Sequence, residues 1–282
     1  MEVFRELFAV MFAQFLIGGV CLLGFIPLRV LGRNFFMICA WIFVILALIY
    51  WWIAPRPAVY GGFGSLFGPR LWSTPNGREF GSMLLFMALV VLYLISLYGW
   101  RDGWLKGFLW AATAVGIFAL INGAAAARET GMTPLQAGLL PANFLLSALA
   151  LGTVFTGMLL GHYYLVKPDL TLKPLWRFAW LLLGVVIAQG AAAVTLVLKE
   201  FGPERIEMIL GRNVFLTPWG LEFWGRVLVG LLGTFLVGVL IVVSLRMRAT
   251  RTVTGFYYIG IMTVVVGELM SRNLFRLTHL PL

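Results

Sequence analysis

The chain has 282 residues, 61% of them hydrophobic and only 11% charged, with a formal net charge of +10. A soluble domain carries about 25% charged residues, so this composition excludes a water-soluble globular fold. The basic balance does not call for a nucleic-acid partner, because Lys and Arg at the ends of membrane spans face anionic lipid.

A helix crosses the hydrocarbon core with roughly 20 mainly apolar residues, and the chain offers eight such runs. They lie at about 6–27, 34–54, 80–99, 104–127, 136–164, 175–198, 217–245 and 252–276. The runs are rich in Leu, Ala, Phe and Gly, lack strict alternation, and are far too long for barrel strands. The expected fold class is therefore all-α, a polytopic integral membrane protein forming a single transmembrane domain over 1–282. The first run is led by Glu2, Arg5 and Glu6 and ends in Phe25, Ile26 and Pro27. Neither end suits a cleaved signal, so the run is expected to stay as the first span. FLIGGVCLLG in the first run and FTGMLLGHYYL in the fifth both place small residues before a basic loop. That leaves two four-helix bundles, a four-plus-four repeat, as an open arrangement.

With eight spans both termini share one side. The opposite side holds Arg29, Arg33, Arg101, Lys106, Lys167, Lys173, Arg177, Arg246, Arg248 and Arg251, against the acids Asp102 and Asp169. Dense basic residues in short loops mark the cytoplasmic side. The expected location is a bacterial cytoplasmic membrane, with both termini outside the cytoplasm. The two longest loops, about 55–79 and 199–216, are too small for a catalytic domain. EFGPERIEMILGRN in the second suits a short amphipathic helix lying on the membrane. The two cysteines, Cys21 and Cys39, have no metal spacing around them and read as small apolar side chains. Gly pairs such as Gly157/Gly161 and Gly225 with Gly230 and Gly233 read as close helix packing.

Ionisable groups in the spans carry what functional signal there is, since a charge there normally faces the bundle interior and a partner. Glu222 and Arg226 lie four apart in LEFWGRV, as do Glu268 and Arg272 in VGELMSRN. That spacing predicts a pair on one face of each helix. Antiparallel neighbours would bring all four groups together toward the N-terminal side, with Arg128, Glu129 and Asn122 nearby. Two readings stand: interfacial ion pairs that fix helix register, or a polar pocket for a substrate or protons. In the second, Glu268 would accept protons and Arg272 would hold it in place. His162, in TGMLLGHYYLVKPDL, could meet a quinone, relay protons or anchor the helix end among Tyr163 and Tyr164. The only other histidine, His279, falls on the opposite side in this topology, which argues against a bis-histidine haem within one chain. Gln136, Asn143 and Gln189 read as interhelical hydrogen-bonding glue. No H-E-x-x-H or G-x-S-x-G motif is present, and the carboxylates and cysteines are too few for a two-metal site or an iron–sulfur cluster. No bound metal is expected.

The C-terminal GELMSRNLF, the eight-span layout and the basic VKPDLTLKPLWRF loop resemble the NrfD-like membrane-anchor subunits of polysulfide and dimethyl sulfoxide reductases. The resemblance implies an anchor without its own cofactor that binds quinone or quinol near the outer face. It would pass electrons to an iron–sulfur partner, with Glu268 and Arg272 near the quinol region. The expected function is such a quinone-interacting subunit of a redox complex. A secondary transporter or channel, and a structural or assembly subunit, are the alternatives from other classes.

Overall fold

The computed structural model of the chain describes residues 2–57, 68–99, 102–167, 169–200 and 218–281. Its long helices are α1 (Glu2–Leu23), α2 (Arg33–Ile53), α3 (Pro75–Ser96), α4 (Asp102–Ala126), α5 (Pro134–Val166) and α6 (Lys173–Glu200). Then come α7, built from Pro218–Gly225, Arg226–Gly233 and Thr234–Arg246, and α8 (Thr250–Thr278). All eight are long and apolar enough to cross a membrane, and no strand occurs among the described residues. The protein is an all-α polytopic membrane protein. The proposed amphipathic segment in 200–213 falls, from 201 on, outside the described residues, as does the 58–67 part of the first long loop.

Local chemistry moves two boundaries from their expected places. The first helix stops at Leu23, not 27, because Gly24 and Pro27 follow. The backbone there turns through Gly24 N–H to Cys21 O and Ile26 N–H to Leu23 O. At α3 the shift runs the other way. Thr74 caps the helix by accepting from Gly77 N–H at 3.1 Å, with Pro75 in the first turn. A capped Pro start is favourable, so α3 begins at 75 rather than 80 and draws Glu79 out of the loop. The start of α5 is a full capping box between Thr133 and Gln136. Both side chains also bind the carboxylate of Glu200 at the end of α6, at 2.8 and 3.2 Å. α5 runs 33 residues, about 50 Å of helix, and carries Pro141 inside it.

The helices pack as two groups of four with one pattern. α1 lies on α2 and α4, and α3 runs along α4 and touches α2. In the second half α5 lies on α6 and α8, and α7 runs along α8 and touches α6. The halves meet chiefly where α1 crosses α5. There Gly18 and Gly152 bring the two backbones into contact; a Cβ on Gly18 would collide with Ala148 O, and one on Gly152 with the backbone of Gly18. The apolar core runs continuously through both halves, and large side chains such as Trp52, Met262 and Ile45 point outward. In a membrane those outward faces meet acyl chains, so they need no protein cover.

Candidate functional site

Four helices of the second half bury a polar cluster. Glu268 of α8 is 1% exposed. Its Oε1 accepts from Arg226 Nη1 of α7 at 3.1 Å and from Gln189 Nε2 of α6 at 2.8 Å. One turn on, Arg272 donates from Nη2 to Ser147 Oγ of α5 at 3.1 Å, and its guanidinium lies 4.0 Å from the centre of the Phe144 ring. Ser147 in turn donates to Asn143 Oδ1 at 3.3 Å, and Asn143 Nδ2 donates to Pro281 O at 3.3 Å. The two arginines and the glutamate are all buried. Glu268 Oε2 and the Nε atoms of both arginines have no hydrogen-bond partner among the described residues.

Two glycines let this happen. At Gly230 of α7 and Gly267 of α8 the helices nearly touch; a Cβ on Gly230 would stand 2.7 Å from Gly267 Cα. A Cβ on Gly267 would also stand 3.4 Å from Arg226 Nη1. The backbone of α7 takes a π-helical course over Arg226–Gly233. Such local widening recurs at functional sites, and here it opens at the residue that carries the buried guanidinium.

The expected pairs within each helix do not form. Arg226 pairs across to Glu268 instead of Glu222, and Arg272 turns to α5. Glu222 accepts from Asn273 Nδ2 of α8 at 2.7 Å on the bundle's outer side, beside Phe4 and Phe8 of α1. The antiparallel register explains this, because it sets 222 opposite 273 and 226 opposite 268. A cross-helix partner inside the bundle then replaces the one-turn neighbour on the same helix. Arg128 and Glu129 are also outside the cluster. Both are exposed; Arg128 binds Ala137 O at 3.0 Å, and Glu129 Oε2 lies 2.6 Å from His279 Nδ1. Asn122 is buried but donates to Phe118 O of its own helix. His162 is exposed at the end of α5 next to Gly161, which packs on Thr254. His279 sits beyond the other end of α8, near the Asn143–Pro281 contact. The two histidines thus occupy opposite ends of the bundle.

A second polar site, absent from the expectations, lies in the first half. Glu79 of α3 lines a cavity of about 470 Å³ together with Glu6, Tyr50, Arg56, Asn76 and Gly123. Among the described residues no hydrogen bond reaches its carboxylate. Gly123 of α4 gives it room, since a Cβ there would stand 2.9 Å from Glu79 Oε1. The helix cap at Thr74 sets Glu79 about 6 Å into α3, close to the bundle end. The Thr74–Pro75 start signal in the sequence could have revealed this group; placing the start at 80 left it in the loop.

Each half thus has a polar site on its third and fourth helices. In each half an ionisable side chain on the third helix fits above a glycine on the fourth, Glu79 over Gly123 and Arg226 over Gly267. The second half fills its interior with its own counter-charge. The first half sets the Glu79 carboxylate on a cavity lined also by Glu6 and Arg56.

Among the described residues no group of three or more His, Cys, Asp or Glu gathers as a metal site. No protein-family model, curated protein or solved structure matches the chain. The likeness of GELMSRNLF and the eight-helix layout to NrfD-like anchors rests on those features alone.

Proposed function

We propose that the protein is a quinone-interacting membrane subunit of a redox complex, and that the Glu79 cavity receives the quinol head. The observation that carries this reading is the Glu79 carboxylate, without a hydrogen-bond partner among the described residues and facing a cavity of about 470 Å³ at one end of the bundle. Ligand pockets fall at about 300–1,000 Å³. Quinol oxidation releases two protons and two electrons as the quinone forms. A positioned carboxylate within reach of bulk water suits the first proton, and Glu6 at the mouth offers an exit. Tyr50 and Asn76 can hold the ring oxygens. The second proton leaves to water, and the electrons pass to an iron–sulfur protein docked at the same end. Glu268, which the sequence offered as proton acceptor, keeps a structural place in this scheme, since its Oε1 is already engaged by Arg226 and Gln189.

The transporter reading keeps one specific support, the four-plus-four packing pattern, with an ionisable group of the third helix packed on a glycine of the fourth in each half. One experiment separates the two. In the complex purified from native membranes, Glu79→Gln should lower quinol-linked turnover about 100-fold, the range of a lost general base, with normal assembly. Unchanged turnover in an assembled complex would refute the quinol site. Proton or cation flux through liposomes holding the chain alone, lost in the same variant, would favour transport instead.

A further inference from the structure

We infer that the seam between the two halves, at the end opposite the termini, is a binding site for an anionic phospholipid. A groove of about 620 Å³ runs there between α1, α4, α5 and α6, walled by Ile17, Gly18, Ile117, Leu145 and Phe178. Its one charged lining residue is Arg177, in the second turn of α6. From Ile17 to Leu22 the groove follows α1 for about 8 Å and reaches Phe25 beyond its end, within the ~15 Å depth of one bilayer leaflet. It is apolar at mid-span and cationic where the headgroups lie, the profile of one phospholipid.

Phe25 also borders a neighbouring cavity of about 630 Å³, whose lining includes Arg29, Lys106, Tyr93 and Trp110. Phe25 and Trp110 pack edge to face at 5.5 Å and form the ridge between the two spaces. Among the described residues no Asp or Glu lines either one. Arg29, Lys106 and Arg177 are all exposed, and none has an ion-pair partner among the described residues. Three cations without an ion-pair partner among the described residues thus lie at the headgroup end, Arg177 on the groove and Arg29 and Lys106 on the adjoining cavity. Basic pockets between membrane helices hold lipid phosphates in this way. The charge selects an anionic headgroup over a zwitterionic one, and the apolar wall selects a lipid over a free phosphate. The site is independent of the quinol reading, since it lies at the other end of the bundle from Glu79.

The test uses the full chain purified in mild detergent, stripped of lipid and titrated with phosphatidylglycerol or phosphatidylcholine. Native mass spectrometry counts the bound lipid, and thermal unfolding reports its effect. Phosphatidylglycerol should be retained at least tenfold better than phosphatidylcholine and should raise the unfolding temperature. The triple variant R29Q/K106Q/R177Q should lose that preference while keeping the unfolding temperature of the lipid-free chain. Leu145→Trp, which fills the apolar wall and leaves the cations in place, should lower retention of both lipids. Equal retention of the two lipids by the unaltered chain, an undiminished preference in the triple variant, or displacement of phosphatidylglycerol by inorganic phosphate would overturn the proposal. So would unchanged retention in Leu145→Trp. A co-purifying transmembrane partner seated in the seam, excluding lipid, would overturn it as well.

Discussion

At the residue scale, two arginines share one carboxylate inside the second half. Arg226, Glu268 and Arg272 are all buried, and only Arg226 and Glu268 form a direct ion pair. Removing one member of a buried pair leaves an uncompensated charge, at a cost of roughly 3–5 kcal/mol. Glu268→Gln is therefore expected to destabilise strongly, because it keeps the shape beside Gln189 but leaves two guanidinium groups facing each other's field. Arg226→Gln should cost less, since Arg272 stays one turn away as a cation for Glu268. The double variant R226Q/E268Q should recover part of the single-variant loss. Thermal unfolding of the four proteins in one detergent measures this, and additive losses would show that the pair is not coupled. The sequence made the charges themselves visible, because ionisable groups are rare in apolar runs. It could not show their pairing. Four-residue spacing pointed to partners on the same helix, and only the register between α7 and α8 sets Arg226 against Glu268 and Glu222 against Asn273.

At the element scale, small residues set how closely helices approach, and close approach decides which polar groups can meet. Gly267→Ala would drive a Cβ into Gly230 of α7 and crowd the Arg226 guanidinium at 3.4 Å. α7 and α8 must then separate, at a cost of about 1–3 kcal/mol for overpacking. Gly184→Ala in α6 meets nothing within 4 Å and serves as the control. We expect a lowered unfolding temperature for the first variant and none for the second; equal temperatures would mean that the glycine contact does not hold the helices. The eight helices were legible from their apolar runs, and most ends fall within two residues of the expected places. Four ends miss by three or more residues, the start and end of α1 and the start and end of α3, and the α1 end and the α3 start have local causes. Gly24 and Pro27 end α1 early although the apolar run continues, and the Thr74–Pro75 cap starts α3 early although the local residues are polar. The second miss hid the candidate site, because it placed Glu79 outside the bundle. The π-helical course of Arg226–Gly233 had no signal in an apolar run.

At the scale of the whole molecule, the two halves repeat one packing scheme and differ in how they treat its polar core. The faint likeness of FLIGGVCLLG to FTGMLLGHYYL marks the helices that meet at the centre, α1 and α5, and their glycines make the joint. The rest of the repeat was illegible because it lies in packing positions, where an apolar side chain of one size replaces another without a pattern. Even helix number puts both chain ends on one side of the membrane, together with the Glu79 cavity, the Glu222–Asn273 contact and the Glu129–His279 contact. Arg29, Lys106 and Arg177 lie at the other end. Short basic loops stay on the cytoplasmic side, so the ends and the Glu79 cavity should face away from the cytoplasm. A reporter active only in the cytoplasm should then stay silent when fused after Leu282 and become active when fused into the 246–251 loop. The reverse pattern would invert the molecule and place the Glu79 carboxylate in contact with cytoplasmic water. Quinol oxidation there would release its protons inward, and the redox partner would have to dock from the cytoplasm.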